Sequence, residues 1–146
     1  MAEITTSQDV NAPAAAVWSL LADYGNIQAW WPKDGPVRIA RVKNEGQGVG
    51  MIRHIYNEGF PKPISERLDH LDAQTKTWKL SIVGELPPGM NSYNAIGTLT
   101  ETGPASCRID YKGVYSTDQE SAAAVDGFLR AAYALMFRGL KAAAER

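Results

Sequence analysis

Apolar and polar residues follow two different periods along this chain, and the change falls near residue 116. Before it the dominant step is two. Trp78, Leu80 and Ile82 alternate with Lys79 and Ser81, and Ile109, Tyr111, Gly113 and Tyr115 alternate with Arg108, Asp110 and Lys112, as in strands with one buried face. Strands are predicted over 3–10, 36–43, 49–57, 63–72, 76–84, 91–101 and 105–115, separated by turns containing Gly, Pro or Asn. Between the first two, Asn11-Ala12-Pro13 starts a helix that passes through Val17, Trp18, Leu20 and Leu21 to a stop at Gly25. A second short helix, 26–30, ends at Trp30-Trp31-Pro32. Beyond residue 116 the step becomes three and four, through Val125, Phe128, Leu129, Ala132, Leu135, Met136 and Leu140. Thr117-Asp118-Gln119-Glu120 has the spacing of a capping box at the start of this helix. About 28 helical residues would span roughly 42 Å.

This order predicts an α+β domain occupying the whole chain, 1–146. A curved antiparallel sheet of six or seven strands covers one face of a long C-terminal helix, with two short helices after the first strand. One strand breaks the simple alternation. In 63–72 the parity that holds Ile64 and Leu68 also holds Glu66, so a carboxylate sits on the apolar face.

Composition sharpens the picture of the interior. The hydrophobic residues make up 45% of the chain, but 20 of them are Ala, and Leu, Ile, Val and Phe together number only 30. Much of the Ala belongs to helices. With 4 Trp and 6 Tyr added, the large side chains are disproportionately aromatic, and those on inward strand parity, facing Ala132 beside Phe128 and Met136, would leave the interior hollow. A net charge of −1 and a pI near 6.1 argue against nucleic acid and anionic membrane surfaces as partners. The N-terminal residues lack the pattern of a secretory signal and no run of apolar residues is long enough to span a bilayer, so a cytoplasmic protein is expected. The single cysteine, Cys107, is expected to be a packed, reduced thiol.

Asn11-Ala12-Pro13 with Val17-Trp18, Gly25-Asn26-Ile27 with Trp30, Gly48-Val49-Gly50 before Arg53, Glu66-Arg67-Leu68 with Leu71-Asp72, and the terminal helix follow one another in a characteristic order. Together they resemble the START-like superfamily of helix-grip proteins, which includes pollen allergens, abscisic-acid receptors and bacterial polyketide cyclase/dehydrase-like proteins. The resemblance implies a cavity between sheet and helix. It places Arg53, Ile55, Phe60, Glu66, Leu80, Ile82, Tyr93, Ala95, Phe128, Ala132 and Met136 on the cavity wall. Gly59-Phe60-Pro61 looks like the gate loop of the abscisic-acid receptors, but Trp31 stands where those receptors carry a ligand-holding lysine. Pro87-Pro88-Gly89-Met90 replaces their latch, so hormone reception is not inferred.

Arg53 and Glu66 are the most chemically suggestive pair, because inward charges must be paired or solvated. They would orient a ligand, with Glu66 as the one candidate general acid or base, or they form a structural ion pair that touches no ligand. Tyr93, Tyr111 and Tyr115 would present phenols on the inner face, and Trp30 and Trp31 would roof an entrance or cover a core edge. Trp31, Trp78 and Tyr111 therefore join the candidate ligand contacts. Gly46-Gln47-Gly48-Val49-Gly50 precedes a strand and is read as a turn, not a dinucleotide fingerprint. With only His54 and His70, no metal or other cofactor is expected, and no Ser/His/Asp set is evident. His54, opposite in parity to Arg53, should face solvent.

The function expected is binding of a hydrophobic small molecule, such as a lipid, isoprenoid or aromatic polyketide-like compound, in an internal cavity. The alternative is a cyclase, aromatase or dehydratase acting in the same cavity. A third reading has the loop 57–63 meeting a protein partner when the cavity is filled.

Overall fold

The structure, a computed structural model, describes residues 1–146. Seven strands form one antiparallel sheet: β1 (Ala2–Val10), β2 (Ile39–Glu45), β3 (Ile52–Asn57), β4 (Ile64–Asp72), β5 (Thr77–Val83), β6 (Met90–Gly103) and β7 (Ser106–Thr117). Their order is β1, β7, β6, β5, β4, β3, β2, so every strand from β2 onward lies beside its sequence neighbour and β1 closes against β7. Helix α1 (Ala14–Ala22) and a 3₁₀ helix over Tyr24–Ala29 follow β1, and helix α2 (Ala122–Ala144) ends the fold. Ile4, Val10, Val17, Leu68, Ile109 and Leu140 are the most deeply buried aliphatic side chains, drawn from both ends of the chain and both layers.

All seven predicted strands are present. The second begins at Ile39, three residues later than expected, because Val37 belongs to a loop whose carbonyl accepts a 2.9 Å hydrogen bond from the Trp31 indole. The long helix also starts late. Thr117 still belongs to β7, and Gln119–Ser121 form a 3₁₀ turn. The expected capping box does not form, because Asp118 is committed to the loop before β6. Its amide donates to the Gly89 carbonyl at 3.0 Å, and its carboxylate accepts from Asn91 at 3.1 Å. The 23 residues of α2 span about 35 Å. Gly25 does not stop α1, which ends at Ala22. It lies within the 3₁₀ helix, where a Cβ would collide with the Asn44 amide that donates to the Gly25 carbonyl at 3.1 Å.

The glycine-rich run is a turn between β2 and β3, as expected, with φ of +80° at Gly46 and +97° at Gly50. A register shift between Leu68 and His70 bulges β4, so Glu66 and Leu68 keep even parity inward while the next partly buried core contact is Leu71, opposite Trp78. Cys107 is buried opposite Val10, and burial pushes its thiol pKa up.

Candidate functional site

The α2 backbone packs on α1 and β1, and at Gly139 it lies against the Trp30 carbonyl. Over the middle of the sheet only side chains bridge the gap, and they do not fill it. A cavity of about 100 Å³ remains there, and 19 of its 22 lining side chains are hydrophobic, so apolar burial would dominate any binding. Its size is comparable to apolar cavities that admit a single benzene ring.

Arg53 and Glu66 lie directly opposite each other on β3 and β4. The Arg53 Nε donates to Glu66 Oε1 at 2.9 Å, and Nη2 lies 2.8 Å from the same oxygen. Its Nη1 donates to the Tyr24 carbonyl at 2.9 Å, and the guanidinium carbon stands 3.8 Å above the centre of the Tyr24 ring. The Tyr24 hydroxyl donates in turn to the Glu66 carbonyl at 3.3 Å. Burial works against the Arg53 charge, but Tyr24 and Glu66 outweigh it and raise the guanidinium pKa. Only one carboxylate oxygen is used. Glu66 Oε2 makes no hydrogen bond within the protein.

Three phenols gather beside this pair. The Tyr93 and Tyr133 hydroxyls share a 2.6 Å hydrogen bond, and the Tyr111 and Tyr133 rings meet edge to face at 4.9 Å. Burial raises the pKa of all three, Tyr133 to about 12 and the other two well above the ordinary phenol value, so they are neutral hydrogen-bond donors. Two glycines make this crowding possible. A Cβ at Gly113 would overlap the Tyr133 hydroxyl, and one at Gly97 would overlap the Trp78 ring.

A second, wider space of about 620 Å³ lies outside the first, between Phe60-Pro61-Lys62-Pro63, Leu86-Pro87-Pro88 and α2. Ile64 and Phe128 line both spaces and divide them. Phe128 meets Phe60 edge to face at 6.3 Å, and Lys62 pairs with Glu85 at 2.9 Å, linking the two loops.

Of the fourteen candidate ligand contacts, twelve line the inner cavity: Trp31, Arg53, Ile55, Glu66, Trp78, Leu80, Ile82, Tyr93, Tyr111, Phe128, Ala132 and Met136. Two do not. Phe60 is 45% exposed and lines the outer space, because its loop runs out beyond the ends of β3 and β4. Ala95 is buried but lies opposite Gly113, where the Tyr133 phenol comes down onto the sheet. Tyr115 also points away from the cavity and donates to Asp126 at 3.3 Å.

Sequence reasoning missed Tyr24, Asn57, Leu129 and Tyr133 on the cavity wall, and left Trp30 between roofing an entrance and covering a core edge; it lines the cavity. Asn57 continues the inward parity of Arg53 and Ile55, and Tyr133 follows Leu129 by four residues; both signals were present. On the opposite face of the sheet His54 is only partly exposed. Its Nδ1 lies 2.6 Å from Ser65 Oγ and its Nε2 3.2 Å from Glu45 Oε1. This Ser/His/acid alignment was not anticipated. It is a cross-strand row on β2, β3 and β4, and neither cavity opens onto it.

No group of three or more His, Cys, Asp and Glu side chains is placed to hold a metal, and no helix is long and apolar enough to cross a membrane. Among solved structures, XoxI from Bacillus cereus superposes with a TM-score of 0.82 at 21% identity, covering 99% of this chain and 96% of that one. Norcoclaurine synthase from Thalictrum flavum superposes at 0.77 and 21% identity, over 96% of this chain and 84% of its own. The di-domain ARO/CYC BexL of the BE-7585A biosynthetic pathway superposes at 0.78 and 21% identity, over 99% of this chain and 47% of that one. These likenesses establish the helix-grip fold. The model of the family described as polyketide cyclase / dehydrase and lipid transport matches residues 1–145, and the chain belongs to that family.

Proposed function

We propose that this protein binds a hydrophobic small molecule, of the lipid, isoprenoid or aromatic polyketide-like kind, in the cavity between sheet and α2. The observation that carries this reading is the apolar void itself, walled almost entirely by hydrophobic side chains. A packed core would have closed it, because voids cost contact energy. The inner space is small, so a larger ligand would place one ring there and extend past Phe128 into the outer space. The loop 57–63 would then close over it, having space beneath to move into.

Native mass spectrometry of the purified protein tests this reading. A retained mass of a few hundred daltons, released on unfolding and partitioning into organic solvent, is the expected result. A protein that carries no such mass and takes up no apolar compound on titration would refute it.

The second reading is a cyclase- or dehydratase-type enzyme, favoured by Glu66 Oε2 standing free beside three neutral phenols. In that reading Glu66 moves a proton on a substrate held against the phenols. Glu66→Gln tests it: turnover of a polyketide-like substrate by the wild type that is lost in the variant, with ligand uptake kept, supports the enzyme, and unchanged turnover removes Glu66 from the mechanism.

A further inference from the structure

Three polar residues on the outer face of the sheet form a row that the cavity does not use. His54 on β3 is the register partner of Lys43 on β2 and of Ser65 on β4, and Glu45 lies two residues beyond Lys43 on the same face. The His54 imidazole bridges two of these neighbours, with Nδ1 2.6 Å from Ser65 Oγ and Nε2 3.2 Å from Glu45 Oε1. Its side chain is 23% exposed and Ser65 is half-buried, so solvent reaches the row from outside.

The two contacts together fix where the imidazole proton sits. A carboxylate only accepts, so Nε2 carries the hydrogen of the neutral ring and donates it to Glu45. Nδ1 is then the lone-pair nitrogen, and the Ser65 hydroxyl donates to it. The other tautomer would set the Nε2 lone pair against the carboxylate. Bonds that merely tied three strands together would need no such order. Here the ring aims its basic nitrogen at a serine hydroxyl already within proton-transfer distance. Lys43 stands on the far side of the ring from Ser65 and forms no ion pair, whereas Arg67, two residues along β4, is held by Asp69 at 2.6 Å.

We infer that Ser65 is a nucleophile that accepts an acyl group from small activated esters, with His54 as its general base and Glu45 as a positioning residue. The Ser65 Oγ proton passes to His54 Nδ1 as Oγ bonds to the ester carbonyl carbon. The bond from that carbon to the leaving oxygen then breaks, and the departing aryloxide takes the proton back from Nδ1. The products are acyl-Ser65 and a phenol, with no change in oxidation state. Neither cavity opens onto the row, so reactivity rather than fit selects the ester. Backbone amides here are committed to the ladders of β3, β4 and β5, which leaves the acyl oxygen without an oxyanion hole and makes a good leaving group necessary.

The test exposes the full chain to para-nitrophenyl acetate and locates the acetyl groups by peptide mapping and mass spectrometry. Ser65 is expected to be acetylated faster than any other serine, and His54→Gln to slow it by about a hundredfold. Nitrogen-15 NMR of the imidazole reads the tautomer directly. The wild type should show Nε2–H, and Glu45→Ala should move part of the population to Nδ1–H and slow acetylation. All three side chains lie on the outer face, so the variants should keep the helix signal; if one does not fold, the wild-type map and tautomer decide. Acetyl groups found only on lysines and the amino terminus, acetylation of Ser65 at the same rate without His54 or without the Glu45 carboxylate, or an Nδ1–H wild type overturns the inference. None of these outcomes bears on the cavity.

Discussion

Gly113 of β7 lies directly beneath Tyr133 of α2, so close that any side chain at 113 would occupy the place of the Tyr133 hydroxyl. The missing Cβ thus sets how near the helix's aromatic ring comes to the sheet, and lets it reach Tyr93. Gly113→Ala should cost about 1–3 kcal/mol through overpacking. Combining it with Tyr133→Phe should cost less than the sum of the two single changes, because the displaced hydroxyl is gone. Urea denaturation of the four proteins in this cycle measures the coupling; strict additivity would show that the two residues do not meet.

The Arg53–Glu66 pair makes an asymmetric prediction. Arg53→Met leaves Glu66 facing an apolar cavity without its partner and should destabilise the fold by about 3 kcal/mol. The double change Arg53→Met with Glu66→Leu should recover most of that loss, since neither charge remains. Equilibrium unfolding distinguishes this from a surface pair, for which both variants would sit within about 1 kcal/mol of wild type.

Alkaline pH should unfold the protein through its phenols. Tyr133 in the folded state ionises at about 12, against an ordinary value of 10, and Tyr93 and Tyr111 ionise well above that ordinary value. Below pH 10 both folded and unfolded chains hold these protons, and the contribution is constant. Above it the unfolded chain loses them first, so stability falls as pH rises through 10 towards 12. Most of the tyrosinate absorbance should appear together with loss of the far-ultraviolet helix signal, since five of the six tyrosines are buried. A single early phase with the fold intact would contradict the burial of the three rings.

Phe128 divides the two spaces, so Phe128→Ala should merge them. The expected result is tighter uptake of a bulky apolar fluorophore, with a stability loss of about 1–3 kcal/mol for a side chain that is only partly buried. Unchanged uptake of both small and bulky probes would show that the ring is no partition.

Cys107 is 1% exposed and its thiol is pushed up by burial. A thiol reagent should leave the native protein unmodified and label it completely in denaturant. Rapid labelling of the native state would place the cysteine outside the core.

The strands and the inward face of the sheet could be read from alternation alone, and Glu66 announced itself by standing among Ile64 and Leu68. Its ion pair with Arg53 follows from a register that puts the two residues opposite each other, and that register is set by the turn at 59–63. What escaped the sequence depends on neighbours remote along the chain. Tyr24 reaches the cavity because a 3₁₀ helix turns it over β3, and no periodicity marks it. Ala95 shares the parity of Tyr93 yet misses the void, because the gap at Gly113 admits a ring from a helix twenty residues further on. Thr117 carries the letters of a helix cap, but Asp118 is claimed by Gly89 and Asn91 first.

The strand order has a consequence for synthesis. β1 is made before any other element, yet its only sheet partner is β7, so Ala2 waits for Tyr115 and Val10 for Cys107. At ribosomal speeds of about 5–20 residues per second, that strand spends roughly 5–20 s with its edge unpaired. The β2 to β7 meander can assemble step by step during this interval, each strand beside the last. Closure of the domain is therefore a late, long-range event, and the vulnerable species in a cell is a nearly complete sheet still missing its oldest strand.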